Sequence, residues 1–386
     1  MKKTLFSILL FLALSSQAQK IEFIDNNWEK ARNEAKQQKK YLFIDAYTDW
    51  CYWCKVMDKE TFPDKEVVKF MTENFVPLKL EMEHNYGVNV ARKYRVSSFP
   101  TFLILSPDGK LVRRLSGYLE VAPFLDELKS TLHAEMYPGY KGISETVDLK
   151  FPDFYVKSFT NNGKREKTDS ATVNNFLSEQ KDLFSEINYS VLVRFASLLS
   201  ETNRTFLFEN RKKFEELFGK GEIDNAIYAV QNRLLEKAIK NKSEEDLKSA
   251  LIFIEKNQTE NIESIKDLTR LNYYKGIGNW NSMANEVDVF IAKNGYQSNY
   301  LNDWSWTVYE KCDDMAVIKK AVSWMKPVIT EKAEYATTDT YAALLYKAGE
   351  IEQAKIFAQK AVELGKAAGE KTEETEKLLK KIEAKK

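Results

Sequence analysis

The chain has 386 residues, 58 basic and 57 acidic, for a net charge of +1. That length exceeds one small core, so two or more domains are expected, and the charge balance argues against a dedicated nucleic-acid surface. Two histidines and three cysteines argue against a rich metal site and against a disulfide-stapled scaffold.

The N-terminus reads as a targeting segment. Lys2 and Lys3 precede an apolar run from Leu5 to Leu14, broken only by Ser7, and Ser16-Gln17-Ala18 offers the small residues a signal peptidase reads. Residues 1–18 are therefore expected to be a signal peptide whose removal leaves Gln19 first. The run falls short of the about 20 residues a bilayer span needs, and no cysteine near the cut offers a lipid anchor. Export is expected, to a periplasm in a Gram-negative source, with no membrane span in the mature chain.

From residue 20 to about 135 strand and helix patterns alternate. Ile21 to Ile24 is a short strand candidate, and Asn27 can cap a helix running to about Gln38. Tyr41 to Ala46 is a compact apolar run suited to a buried central strand. A helix is expected at Cys51, interrupted by Pro63-Asp64 and resumed through Val67 and Met71. Phe75 to Met82 alternates as a strand, and Val88 to Tyr94 reads as a short helix. Thr101–Leu105 and Leu111–Leu115 flank the turn Ser106-Pro107-Asp108-Gly109 and predict a hairpin. Val121 to His133 closes the unit as an amphipathic helix.

Residues 136–154, with Pro138, Gly139, Gly142 and Pro152, read as a linker. Residues 155–386 read as helical. Near 305–365 a weak repeat appears: Ala354, Ala358 and Ala361 space like the small residues of a tetratricopeptide hairpin, and Ala321, Met325 and Val328 lie 33 residues earlier. Tyr341 to Tyr346 would form the first helix of the last hairpin, with Gly349 at its turn. The tail from Glu370 is expected to be a capping helix or frayed.

Cys51-Tyr52-Trp53-Cys54 carries the chemistry. At a helix start this spacing puts both sulfurs on the first turn, able to form a disulfide or open to a dithiol. The helix N-terminus favours a thiolate on the first cysteine. A bare pair of this spacing could equally be a structural disulfide or half a zinc site, with His84 the nearest further donor type in sequence.

The run Phe43-Ile44-Asp45-Ala46-Tyr47-Thr48-Asp49-Trp50-Cys51-Tyr52-Trp53-Cys54-Lys55 resembles the active-site region of the thioredoxin superfamily. Asp45 lies six residues before Cys51, where that family has its buried acid; Trp50 precedes the first cysteine and Lys55 follows the second. Lys79 aligns with a family lysine on the next strand. Ser98-Phe99-Pro100-Thr101-Phe102-Leu103 matches the segment carrying the family's cis-proline. Asp49-Trp50-Cys51 through Thr61-Phe62 is most similar to the C-terminal domain of the periplasmic thiol:disulfide interchange reductases. The departure is Tyr52-Trp53, where thioredoxin has Gly-Pro.

The resemblance implies an α/β thioredoxin-like fold over residues 19–135, a central mixed sheet flanked by helices; the helical patterning and weak repeat beyond it are what point to an all-α, tetratricopeptide-like domain over 155–386. The resemblance also implies roles. Cys51, exposed, attacks a partner disulfide, and Cys54, more buried, resolves the mixed species. Asp45, raised in pKa by burial, takes the proton of Cys54, with Lys79 its ionic partner. Trp50, Tyr52, Trp53, Phe99 and Pro100 meet the substrate, Pro100 by leaving backbone free to pair with an extended strand.

Several residues have plainer readings. Lys79 could be a solvated residue of an amphipathic strand, and Asp45 an ordinary strand-edge acid. Cys312 reads as a free core cysteine, His84 and His133 as surface residues, and Trp280, Trp304, Trp306 and Trp324 as core. The function expected is an exported thiol–disulfide oxidoreductase, acting as a reductant on a protein disulfide and recharged by a protein thiol donor, without cofactor or metal. The helical domain would bind a protein partner. An oxidase or isomerase with the same cysteines, or a non-enzymatic scaffold built on the helical domain, are the alternatives.

Overall fold

The computed structural model describes residues 20–133 and 140–384. The expected signal peptide, and residues 136–139 of the expected linker, lie outside the described residues. The chain divides into two compact units, Met1–Ile227 and Tyr228–Lys386.

The first unit is built on a five-stranded mixed sheet. In chain order the elements are β1 (Ile24–Asp25), α1 (Trp28–Gln38), β2 (Tyr41–Tyr47), α2 (Tyr52–Val56), a π turn (Met57–Thr61), α3 (Lys65–Asn74), β3 (Phe75–Glu81), α4 (Gly87–Lys93), β4 (Thr101–Leu105), β5 (Leu111–Ser116) and α5 (Val121–Thr131). The strand order is β1-β3-β2-β4-β5. β3 runs parallel to β1 and β2, while β4 runs antiparallel to both β2 and β5.

β2 lies at the centre because its residues tolerate no water. Leu42 through Ala46 are all buried, as a strand covered on both faces requires. Side chains alternate between the two faces, so Phe43 and Asp45 share one. Phe43 packs there against Phe102 at 5.5 Å and Phe124 at 5.9 Å, within a cluster that also holds Phe62, Met71 and Phe75. The acid therefore shares its face of the sheet with this aromatic cluster.

Local chemistry sets most boundaries. Asn27 caps α1 by accepting the Lys30 N–H, and Asp64 caps α3 by accepting from Glu66 and Val67. The hairpin turn closes with Ser106 N–H donating to Lys110 O at 2.8 Å, and Gly109 takes φ +101° there. Two boundaries differ from the sequence reading. β1 pairs only through Ile24 and Asp25, because Ile21 turns into the core and Phe23 packs on Phe62 at 5.3 Å. The helix after Cys51 widens into a π turn before Pro63.

From Tyr140 the chain is irregular but held. Gly142 N–H donates to Leu217 O at 2.6 Å, and a Cβ on Gly142 would lie 2.5 Å from the Phe218 ring. There follow α6 (Asp153–Lys157), α7 (Ser170–Ser178), α8 (Glu186–Arg194), α9 (Glu201–Glu209), α10 (Arg211–Phe218) and α11 (Glu222–Asn241); the division between units falls within α11. The earlier part of this extension is bound to the sheet region by buried ion pairs. Lys93, wholly buried on α4, meets Glu186 at 2.5 Å and donates to Ser144 Oγ at 2.8 Å. Arg95 meets Glu222 at 2.7 Å, and Arg114 of β5 shares that carboxylate at 2.8 Å. Arg95 also lies 5.2 Å from the Tyr189 ring, which stacks on Phe218 at 4.0 Å.

The second unit is helical, with α12 (Glu244–Asn257), α13 (Ile262–Ile277), α14 (Trp280–Asn294), α15 (Ser298–Lys311), α16 (Met315–Glu331), α17 (Tyr335–Lys347), α18 (Ile351–Ala368) and α19 (Glu373–Ala384). α17 and α18 form a hairpin turned at Gly349, φ +83°. Ala342, Ala343, Ala354, Ala358 and Ala361 are wholly buried, so small residues bring the helix backbones close. Trp304, Trp324 and Cys312 are core residues, and Trp280 and Trp306 pack against that core. α19 closes the unit through Leu378 and Ile382. Among the described residues no helix is long and apolar enough to cross a membrane.

The Arg95–Glu222 pair yields a stability prediction. Arg95→Ala leaves the buried Glu222 carboxylate to Arg114 alone and is expected to cost about 1.5–3 kcal/mol, read as a lower urea midpoint for the full chain. An exposed Lys30→Ala change should stay within about 0.5 kcal/mol. Equal midpoints for Arg95→Ala and wild type would refute the role of the pair.

Candidate active site

The turn from β2 into α2 places the cysteines. Cys51 is the N-cap of α2, with extended backbone (φ −68°, ψ 109°), and its sulfur accepts the Cys54 N–H at 3.0 Å. Cys51 and Cys54 form a disulfide with Cα atoms 5.4 Å apart. Sequence reasoning expected an exposed Cys51 and a more buried Cys54. The structure corrects this for the oxidised pair: both are 3% exposed. The N-capping sulfur folds back over the first turn, toward Cys54, instead of projecting into solvent. What distinguishes the two cysteines is position, one capping the helix and one inside it.

Asp45 is buried on β2, and Lys79 is its register partner on β3. Lys79 Nζ lies 3.7 Å from Asp45 Oδ2 and also makes a short hydrogen bond to Asp58 on the π turn. Asp45 Oδ1 has no hydrogen-bond partner. Burial pushes the Asp45 carboxyl up to about 7; Lys79 pulls it down and Asp58 pushes it further up. Lys79 is thus no solvated strand residue. It lies near the Tyr47 and Phe23 rings, at 5.3 and 5.7 Å from their centroids.

Around the disulfide stands an aromatic rim. Trp50, Tyr52 and Trp53 are 66%, 68% and 51% exposed, unusual values for such side chains in a single cluster. Trp50 meets Phe99 edge-on at 5.8 Å, Tyr52 meets Trp53 at 5.2 Å, and Trp53 meets Tyr118 at 5.3 Å. The Phe99–Pro100 peptide bond is cis. The Pro100 carbonyl accepts from Gly117 N–H at 2.8 Å, and Ser98 O accepts from Thr101 Oγ1 at 2.8 Å. Lys55 is exposed on α2.

Three residues escaped the sequence reading. Asp58 shares Lys79 with Asp45, and its signal was available: it lies four residues past Cys54, one helical turn along the same face. Glu83 accepts the Trp50 indole N–H at 3.0 Å, a contact no local pattern announces. Tyr118 extends the rim and donates to Glu60 at 3.2 Å. His84 is a half-buried residue bonded to Asn162 at 2.6 Å, and His133 is exposed. Among the described residues no group of three His, Cys, Asp or Glu side chains could hold a metal ion. A cleft of about 780 Å³, lined by Lys20, Gln38, Thr72 and Pro77 among others, includes neither cysteine.

The raised Asp45 pKa carries a sign. The folded chain holds this proton more tightly than the unfolded one, whose value is 3.8, so stability falls as pH rises from about 4 to about 7. Asp45→Asn should remove that fall and stabilise the oxidised protein above pH 7 by up to about 4 kcal/mol. Urea midpoints against pH for both proteins measure it; parallel curves would refute it.

Comparison with known proteins agrees with this geometry. A family model described as a thioredoxin-like domain matches residues 28–132. Thiol:disulfide interchange protein DsbD of Pseudoalteromonas atlantica is 30% identical over 111 residues, 28% of this chain and 19% of the relative. DsbD of Vibrio vulnificus is 33% identical over 129 residues, 31% of this chain and 21% of the relative. The chain thus spans about a fifth of the length of the curated relatives it matches. Among solved structures, a thioredoxin from Thermus thermophilus is 26% identical, covering 28% of this chain and 87% of that one, with a TM-score of 0.27. Residues 28–132 of this chain are a thioredoxin-like domain, homologous to a domain of the thiol:disulfide interchange proteins.

Proposed function

We propose that this chain is an exported thiol–disulfide oxidoreductase that reduces disulfides in partner proteins. One observation carries the reading: the Cys51–Cys54 disulfide caps a helix in a domain whose central strand buries Asp45. A structural staple would have no need of a buried carboxylate with a raised pKa or of an exposed aromatic rim.

The chemistry runs from the dithiol. Cys51 Sγ, as thiolate, attacks one sulfur of the partner disulfide; that S–S bond breaks, and the partner's other sulfur leaves as a thiolate and takes a proton. Cys54 then gives its proton to the Asp45 carboxylate and attacks Cys51 Sγ. The mixed disulfide breaks, the second partner thiol is released, and Cys51–Cys54 closes. Two electrons have passed to the partner, and a protein thiol donor must return them. An Asp45 pKa near 7 suits a group that accepts and returns a proton near neutrality. The segment at Pro100 would leave neighbouring backbone to pair with an extended partner strand, and Trp50, Tyr52, Trp53 and Phe99 would cover its apolar side chains.

The reductant direction rests on similarity to the interchange proteins, and export rests on Lys2, Lys3 and the Leu5–Leu14 run. The helical unit would bind a protein partner, consistent with its alanine-lined hairpin.

Reduction of a protein disulfide, followed by turbidity, tests the activity. Cys51→Ser should fall to the uncatalysed rate, and Cys54→Ala should accumulate mixed disulfides resolved by added thiol. A Cys51→Ser protein as active as wild type would sink the reading. A reduction potential near about −270 mV is expected for a reductant; one near about −120 mV would make the chain an oxidant. For export, N-terminal sequencing of protein from the periplasmic fraction of a Gram-negative host should begin at Gln19; retention of Met1 in the cytosol would overturn it.

A further inference from the structure

The loop after α6 and the end of α8 build a wall beside Trp50. Asn162 N–H donates to Glu83 O at 2.9 Å and Asn162 Oδ1 meets His84 at 2.6 Å, so this loop is tied to the residue that accepts the Trp50 indole. Behind it Arg194 is fixed by neutral partners. Its guanidinium donates to Ser158 Oγ and Ser158 O, each at 2.5 Å, and lies 3.5 Å from the Phe159 ring centroid. Arg165 comes from the loop itself and is exposed.

Arg194 and Arg165 line one cleft of about 290 Å³ together with Trp50 and Phe99. Arg194 and Ser97 also line a second cleft of about 330 Å³, with Ser98 and the exposed Lys220. The two clefts share residues, so they flank the Ser97–Phe99 segment that leads into Pro100. Among the described residues, Arg165, Arg194 and Lys220 make no ion pair with a carboxylate. Of the two acids lining the clefts, Glu222 is paired with Arg95 and Arg114, while Glu83 accepts the Trp50 indole N–H and keeps its negative charge. Burial, opposed by Tyr155 and reinforced by the Arg165 cation, pushes Arg194 down to about 10, a value that leaves it charged at neutral pH.

The two clefts together are lined by five cations, Arg95, Arg114, Arg165, Arg194 and Lys220, against the two carboxylates Glu83 and Glu222, and such an excess beside a reactive centre is a standing potential for negative charge. The spread of the cations along the segment, interleaved with serine hydroxyls and edged by Trp50 and Phe99, suits side chains of an extended polypeptide more than one compact anion. A strand advances about 3.3 Å per residue, so carboxylates two to four residues from a cysteine held at Cys51 would sit about 7–13 Å away.

We propose that this cleft binds acidic side chains flanking the reacting cysteine of the partner polypeptide, which makes Arg165, Arg194 and Lys220 specificity-determining residues. The inference rests on the oxidoreductase reading for its kinetic consequence, and on charge alone for binding.

The test uses the full chain and one extended peptide in two versions, with Glu or with Gln at the positions flanking its cysteine. As disulfide substrates, the Glu peptide should show a kcat/KM about tenfold above the Gln peptide at low salt, a ratio that falls toward 1 near ~0.5 M salt. Arg165→Glu and Lys220→Glu, both at exposed positions that leave the fold intact, should bring the low-salt ratio to about 2 or below. Versions with serine for cysteine, followed by fluorescence anisotropy, measure binding without chemistry and should show the same preference. A ratio of 1 in both assays, or one unmoved by these variants, overturns the inference. Acid-selective binding with no turnover would uphold the cleft and instead refute the oxidoreductase reading; turnover with no selectivity would do the reverse.

Discussion

Everything at this site depends on keeping one carboxyl out of water. Asp45 lies in the middle of β2, on the face of the sheet that also carries Phe43 and its aromatic neighbours. Burying a charge there is costly unless it is paired or protonated. The sheet register supplies the pairing by setting Lys79 opposite. The π turn then divides that lysine by bringing in Asp58. One cation between two acids cannot neutralise both, so the more deeply buried acid holds its proton. The parallel pairing of β2 with β3 and the widened turn after Cys54 can be understood as the conditions under which such a carboxyl stays protonatable near neutral pH.

The outer layer follows a different logic. Trp50, Tyr52 and Trp53 expose more than half their surface over a disulfide that is itself buried. A solvent-accessible aromatic surface is tolerable where a partner transiently covers it. In the proposed function the rim would give affinity without much discrimination, since rings accept most apolar side chains. The neighbouring cationic wall comes from sequence well beyond the sheet domain and supplies what rings do not, a preference for one sign of charge.

The sheet domain was largely legible in the sequence because its signals are local. The apolar run of β2, the caps Asn27 and Asp64, and the Ser106–Gly109 turn each act within a few residues. The cysteine spacing, Asp45 and Pro100 were legible through resemblance, and the structure brings Asp45 and Lys79 into register. Three things were not legible. The burial of Cys51 depends on how an N-cap side chain folds back, which spacing does not encode. Glu83 reaches Trp50 across 33 residues of chain, and the Arg194 wall is assembled from segments joined only in three dimensions. The extension after residue 140 read as linker and plain helix because its glycines and prolines signal irregularity, whereas the buried pairs that anchor it involve residues far apart in sequence.

Lys93 and Arg95 tie the sheet domain to the segment that follows it. Without that segment, the α4 region would face solvent and its cations would be hydrated. Here Lys93 is wholly buried against Glu186, and Arg95 against Glu222. Neither carboxylate belongs to the sheet. The domain is therefore poorly portable: excised at residue 133 or grafted onto another protein, it would carry into water two cations that here sit in a dry interface.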